Sequence, residues 1–316
     1  MTIKGGTGSG EVNERHSVTV LEGLRNRGFT IATERWLTDF GEFYAEAEAA
    51  YKVEKRKRLN LFRLNDIMQM LFDNFRTPAG PAITGDYLTG DTDSCVYVLS
   101  RQTGEGGDRK LEKGDYLPSD EEVAAIRACA AHYDRFVLAI NCGSSMDLSV
   151  LDSIEGINAI LYIGQPGTEG GHAVADILSG DVNPSGRLAD TWAYNYEDFP
   201  FAMEYGALNG DLQNEYYKEG IYVGYRYFNT FAPKAVAYPF GFGLSYTAFD
   251  YKSMSVEAVD GGWNVSVTVA NVGHVSGKDV VQIYVKAPKG ELDKPERELK
   301  GFVKTPEIAP GQTCTV

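Results

Sequence analysis

The sequence predicts a three-layer α/β/α sandwich followed by an all-β sandwich that is short of strands, and three observations carry that reading. The first two-thirds alternates short apolar runs with helical patterns, as a mostly parallel sheet covered by helices on both faces requires. From Thr247 onward the helical period gives way to strand-like runs separated by turns. The 316 residues also exceed the ~100–200 expected of one domain. The expected boundaries are 1–199 for the α/β sandwich, 200–246 for an extended connector and 247–316 for the β domain.

Taken in order, His16 to Arg27 carries Val18, Val20, Leu21 and Leu24 at helical spacing and stops at Gly28, after which FTIAT reads as a short strand. From Arg35 to about Pro81 the pattern is helical, charged and aromatic, with a turn-rich end at TPAGPAITGDY, and reads as an insertion between sheet elements. SCVYVLS from Ser94 and FVLAIN from Phe136 are compact buried-strand patterns. Between them SDEEVAAIRACAAHY opens on Ser119 as an N-cap with an acidic first turn. INAILYIG supplies a further strand, and Thr168 to Leu178 a helix with a glycine-rich start that ends before Gly180.

After Phe199 the polar stretch FAMEYGALNGDLQNEYYKEG reads as a connector packed by its tyrosines. Five strand-like runs follow: FDYKSMSVEAV, WNVSVTVANVG, KDVVQIYVKAP, ERELKGFVKTPEI and QTCTV. An immunoglobulin-like sandwich typically has about seven strands over ~100 residues. The glycine-rich GGTGSG would ordinarily follow a strand, yet only Met1 to Lys4 precede it. Both ends therefore read as cut.

Composition narrows the function classes. A formal net charge of −14 argues against a nucleic-acid surface, which needs clustered Lys and Arg. The basic cluster Lys52, Lys55, Arg56, Lys57 and Arg58 is interrupted by Glu54 and reads as a solvated helix face. No apolar run approaches the ~18 residues needed to span a bilayer. Cys95, Cys129, Cys142 and Cys314 show no CxxC spacing and read as free thiols, mostly buried. The start MTIKGGTGSG lacks the regions of a signal peptide, which points to the cytoplasm. The histidines His16, His132, His172 and His274 are dispersed, so no metal is expected, and no cofactor is implied. GxSxG is absent.

Several motifs carry chemistry or turns. Gly6, Gly8 and Gly10 invite a phosphate-loop reading, but GxGxxG would require glycine where Glu11 stands, and GK[ST] is absent. A backbone loop at the ligand-binding edge of the sheet and an ordinary tight turn both fit. In GDVNPSGRL the residues Asp181, Asn183, Pro184, Ser185 and Gly186 are turn formers. The tyrosines and Arg226 of EGIYVGYRYF suit a packed interface or a sugar face. His172 reads as a helix-start contact. GEGGDR, holding Glu105, Asp108 and Arg109, is a glycine-flanked loop after SCVYVLS that can present Glu105 at the sheet's edge. Asp108 would raise a glutamic acid's pKa there and Arg109 would lower it, and the two also suit a loop-stabilising ion pair.

Together, IKGGTGSGEVN, GEGGDR, GDVNPSGRL, EGIYVGYRYF and YPFGFGLSYTAF, in that order, resemble glycoside hydrolase family 3 along nearly the whole chain. The resemblance implies an α/β sandwich leading into a fibronectin type III-like domain, and retaining hydrolysis of a terminal β-linked sugar as in a β-glucosidase. It makes Glu105 the acid/base, in a loop similar to the family's EGxDR pattern, and a small β-glucoside or oligosaccharide the substrate. The family's nucleophile is an Asp on a (β/α)8 barrel, and nothing here reads as one; Asp190 in LADTWA matches the family's structural tail. The barrel is then the missing partner, expected downstream of Val316. The alternative is a non-catalytic carbohydrate-binding or interaction module.

Overall fold

The computed structural model describes residues 2–6, 14–58, 75–89, 92–102, 109–205, 210–211 and 213–316. The chain divides into two compact units, 1–178 and 179–316.

The first unit is α/β. Helix α1, Val20–Asn26, begins where Thr19 caps it: the Thr19 hydroxyl accepts from the Glu22 amide while the Glu22 carboxylate accepts from the Thr19 amide. Gly28, at φ +93°, ends the turn that follows. The expected strand at FTIAT does not form; Phe29 to Thr33 join no sheet and run into helix α2, Glu34–Arg58. β-rich composition without a neighbouring ladder does not make a strand.

Helix α2 runs 25 residues with none buried. Lys52 pairs with Glu48 and Lys57 with Glu54, so the basic cluster is a solvated face. Aromatic residues run along the helix, with Trp36 stacked on Phe40 and Tyr44 edge-on to Phe75.

Strand β1, Ser94–Arg101, pairs in parallel with β2, Arg135–Cys142, and β2 pairs in parallel with β3, Ala159–Tyr162, giving the order β1-β2-β3. Phe136, Leu138, Ala139, Ile140 and Cys142 are fully buried, which is why the central strand reads as an unbroken apolar run. Helix α3, Asp120–His132, links β1 to β2 and packs on both. It starts with a second capping box, Ser119 with Glu122. Helix α4, Gly170–Ser179, meets α1 so closely that a Cβ on Gly23 would lie 2.0 Å from the Gly171 carbonyl oxygen. Only glycine allows that approach.

The second unit is mostly antiparallel β. Short strands β4, Trp192–Ala193, and β5, Val236–Tyr238, pair with each other, and helix α5, Tyr225–Phe231, lies between them in sequence. The five expected strand runs appear as β6, Phe249–Val259, β7, Gly262–Asn271, β8, Val280–Val285, β9, Glu298–Lys304, and β10, Thr313–Thr315. They form two sheets, β10-β7-β6 and β8-β9. Val267, Val269, Val281 and Ile308 make the core, with Phe249, Ile283 and Cys314 packed against it.

Residues 183–188 are tied into this unit. Asn183 donates to the Ser276 carbonyl and accepts from the Ser245 hydroxyl and the Tyr246 amide. Arg187 pairs with the largely buried Asp279 at 2.6 Å, and Leu188 exchanges backbone hydrogen bonds with Phe242 and Gly241. GDVNPSGRL thus does more than close a turn. Among the described residues no helix is long and apolar enough to cross a membrane.

Asn271, 1% exposed, donates to the carbonyls of Val275 and Ile308 and accepts from the Thr247 hydroxyl and the Gly273 amide. Asn271→Leu leaves those groups unpartnered and is expected to lower the unfolding free energy by about 3 kcal/mol. Urea denaturation of the two proteins checks this.

Candidate functional site

In open parallel sheets, ligands bind at the carboxyl ends of the strands. Here that edge is organised by polar side chains that the fold has removed from water. Asn141, fully buried near the end of β2, accepts from the Ile3 amide at 2.6 Å and the Ser100 hydroxyl at 3.3 Å. Its amide donates to the carbonyls of Ile3 at 2.8 Å and Gly164 at 2.7 Å. One side chain therefore pairs with Ile3 as a strand would, while holding the ends of β1 and β3. Lys4 accepts from the Gly167 amide, and Gln102 donates to the Gly5 carbonyl, so residues 3–5 are fastened beside the edge. Gly8, Gly10 and Glu11 of the glycine-rich stretch lie outside the described residues.

Arg101 closes β1. Its guanidinium is 5% exposed and grips Glu122 with two hydrogen bonds of 2.7 and 2.6 Å, while Nε donates to the Asp115 carbonyl at 2.7 Å. Glu122 therefore serves helix α3 and strand β1 together. Arg109 is the next described basic group. Its Nε donates to the Asp115 carboxylate at 3.0 Å and Nη2 to the Asp115 carbonyl at 2.6 Å. Nη1 donates to the Ser145 carbonyl at 2.7 Å and to the Ser144 hydroxyl and Cys142 sulfur. The guanidinium also lies over the Tyr116 ring, 5.4 Å from its centre. The other Asp115 oxygen accepts from the Lys110 amide and pairs with Arg76, which also meets Glu112.

Glu105 and Asp108 lie outside the described residues. Arg109, which the sequence suits to an ion pair with Asp108, is held by Asp115. Sequence reasoning missed Asp115, Arg101, Glu122 and Asn141. The available signal was faint: charged residues closing an apolar strand and starting a helix that packs on it.

The other candidates are structural. Asp190 accepts from the Trp192 indole at 3.2 Å, and desolvation by burial raises its pKa. Arg226 lies 3.6 Å from Glu298, and the Tyr225 hydroxyl accepts from the Leu299 amide, so EGIYVGYRYF packs against β9. Glu169, just before α4, accepts from His16 at 2.6 Å and His172 at 2.9 Å. His172 is thus a helix-start contact. Among the described residues no group of His, Cys, Asp and Glu is arranged to hold a metal. All four cysteines are free.

The family description "Glycosyl hydrolase family 3 C-terminal domain" fits residues 1–225, and "Fibronectin type III-like domain" fits residues 279–316. The chain is 37% identical over 225 residues to a beta-glucosidase of Ruminococcus albus, covering 71% of this chain and 23% of that protein. It is 32% identical to beta-glucosidase A of Butyrivibrio fibrisolvens, covering 99% of this chain and 40% of that one. Among solved structures, beta-glucosidase 3B from Thermotoga neapolitana in complex with glucose is similar at a TM-score of 0.78 and 35% identity, covering 100% of this chain and 42% of that chain. A beta-glucosidase from Paenibacillus barengoltzii is similar at a TM-score of 0.81 and 32% identity, covering 99% and 33%. The chain therefore spans less than half the length of these relatives.

The hydrogen bonds from His16, and next from His172, hold the Glu169 carboxyl below its ordinary 4.5. Since folding favours its ionised form, the stabilisation is present above 4.5 and is lost as pH falls through the lower folded value. The melting-temperature difference between the parent chain and Glu169→Gln is expected near neutral pH and to shrink as pH falls below 4.5. Thermal melts across that range check it.

Proposed function

The chain belongs to glycoside hydrolase family 3, and from that premise we propose that it supplies the acid/base, but not the nucleophile, of a retaining β-glucosidase. The observation that carries the reading is the place of Glu105 in the chain: it falls between Arg101, which closes β1 at the carboxyl edge of the parallel sheet, and Arg109, which is fixed beside the end of β2. The GEGGDR motif and the beta-glucosidase relatives support the same assignment.

Retaining hydrolysis needs two carboxyl groups about 5–5.5 Å apart. Glu105 gives its proton to the departing glycosidic oxygen in the first step and takes one from the attacking water in the second. An aspartate of a (β/α)8 barrel, carried elsewhere in the natural-length protein, attacks the anomeric carbon. The substrate is a small β-glucoside or oligosaccharide, and the 316 residues alone are inactive. To serve as an acid near neutrality, Glu105 must hold its proton above the ordinary glutamate value, which a closed, water-poor site achieves.

A second reading, a non-catalytic carbohydrate-binding module, is favoured by exposed aromatic side chains in the second unit, including Tyr217 at 90% exposure, Tyr216 and Phe231. Saturable binding of an oligosaccharide to the 316-residue chain, unaffected by Glu105→Gln, would support it.

Glu105→Gln in the natural-length protein is expected to lower kcat/KM on an alkyl β-glucoside by about 10²–10⁴-fold. Activated aryl glucosides, whose leaving groups need no protonation, should retain most of their glycosylation rate. Steady-state kinetics on the two substrates tests this; equal activity of both proteins on the alkyl glucoside excludes the assignment.

A further inference from the structure

We propose that Cys95 and Cys129 are an oxidation-sensitive thiol pair, which a hydroperoxide converts to a disulfide that holds helix α3 on strand β1. The pair takes no part in the glycosidase reading, and its place follows from the packing of two elements. Cys95 and Arg101 lie six residues apart on β1 and so share a face of the strand. Glu122 and Cys129 lie seven apart on α3 and share a face of the helix. The Arg101–Glu122 ion pair joins those two faces at the carboxyl end of β1. Helix α3 then returns the chain to the start of β2, which runs parallel to β1, so its last turn comes back to the amino end of β1, where Cys95 stands. The two thiols meet there in a hydrogen bond.

Their surroundings give the two sulfurs different tasks. Cys129 is 3% exposed, Cys95 is half-buried, and both thiols are free. The hydrogen bond donated by Cys95 holds the Cys129 thiol below its ordinary value. The same bond, and next to it burial, pushes the Cys95 thiol up. Cys129 therefore gains thiolate character while Cys95 keeps its proton. A buried thiol is ordinarily inert, but this one has a partner that stabilises its anion.

The Cys129 thiolate attacks one oxygen of the hydroperoxide, the O–O bond breaks, and the departing oxygen takes up a proton to leave as water or an alcohol. Cys129 is left as a sulfenic acid. The Cys95 sulfur then attacks the Cys129 sulfur; the S–S bond forms, the S–O bond breaks, and the hydroxyl leaves as water with the Cys95 proton. The two thiols lose two electrons in all, and the peroxide accepts both. Hydrogen-bonded sulfurs need only a short approach to reach the ~2.05 Å of a disulfide. The link closes the chain between β1 and the end of α3 into a loop and opposes separation of the helix from the sheet.

The test treats the natural-length protein with hydrogen peroxide, denatures it in iodoacetamide and maps its peptides without reductant. The expected result is one cross-linked pair of peptides, holding Cys95 and Cys129, with two hydrogens lost per chain and both thiols recovered in dithiothreitol. Amide exchange across Asp120 to His132 should slow by about 10-fold or more in the linked protein. In Cys95→Ser the second step has no attacking thiol, so Cys129 should stop at the sulfenic acid and take up dimedone. Both thiols still alkylated, at a peroxide dose that oxidises those of the urea-unfolded protein, overturns the proposal, as does a disulfide from either cysteine to any other. Unchanged exchange in the linked protein overturns the hold on the helix, and failure of the dimedone label overturns Cys129 as the attacking thiol.

Discussion

Strand β2 is buried along nearly its whole length, so every polar group gathered at its carboxyl end has to find its partner inside the protein. Much of the first unit follows from that demand. Asn141 meets it by acting as a strand partner for Ile3 while bridging Ser100 and Gly164. Arg101 meets it through Glu122, which also caps helix α3, so the register of the sheet and the start of the helix are set by the same carboxylate. Asp115 meets it by receiving two guanidinia at its carbonyl and a third at its carboxylate. An apolar core alone would tolerate sliding of these loops; a fully satisfied polar edge does not.

That edge gives the proposed chemistry a physical setting. A general acid needs a fixed position more than it needs a particular fold, because proton transfer is sensitive to small displacements. Arg101 and Arg109, which stand on either side of Glu105 in the sequence, have buried partners in Glu122 and Asp115. The division of labour proposed for the natural-length protein, proton transfer from one domain and nucleophilic attack from another, asks this unit for one well-aimed carboxyl group.

Local signals were legible in the sequence wherever near neighbours decide structure. Ser119 and the acidic turn after it announced the start of α3, apolar runs announced β1 and β2, and the alternation beyond Thr247 announced five strands. FTIAT misled because its β-branched residues had no ladder to join. Asn141 was silent because its partner Ile3 lies 138 residues away, and nothing local in FVLAIN distinguishes a buried staple from a strand end. Arg109 was read beside Asp108, which lies outside the described residues, while its described partner Asp115 stands six residues on. Glu105 was singled out by family resemblance; among many acidic residues its own surroundings in the sequence are only suggestive.

The most direct measurement of the central claim is covalent trapping of the natural-length protein with a 2-deoxy-2-fluoro-β-glucoside carrying a good leaving group, followed by peptide mapping. The account predicts one sugar per protein, attached to an aspartate in a peptide outside residues 1–316, with Glu105 unlabelled. Attachment to any residue within 1–316, or hydrolysis with inversion and no trapped sugar, would contradict it.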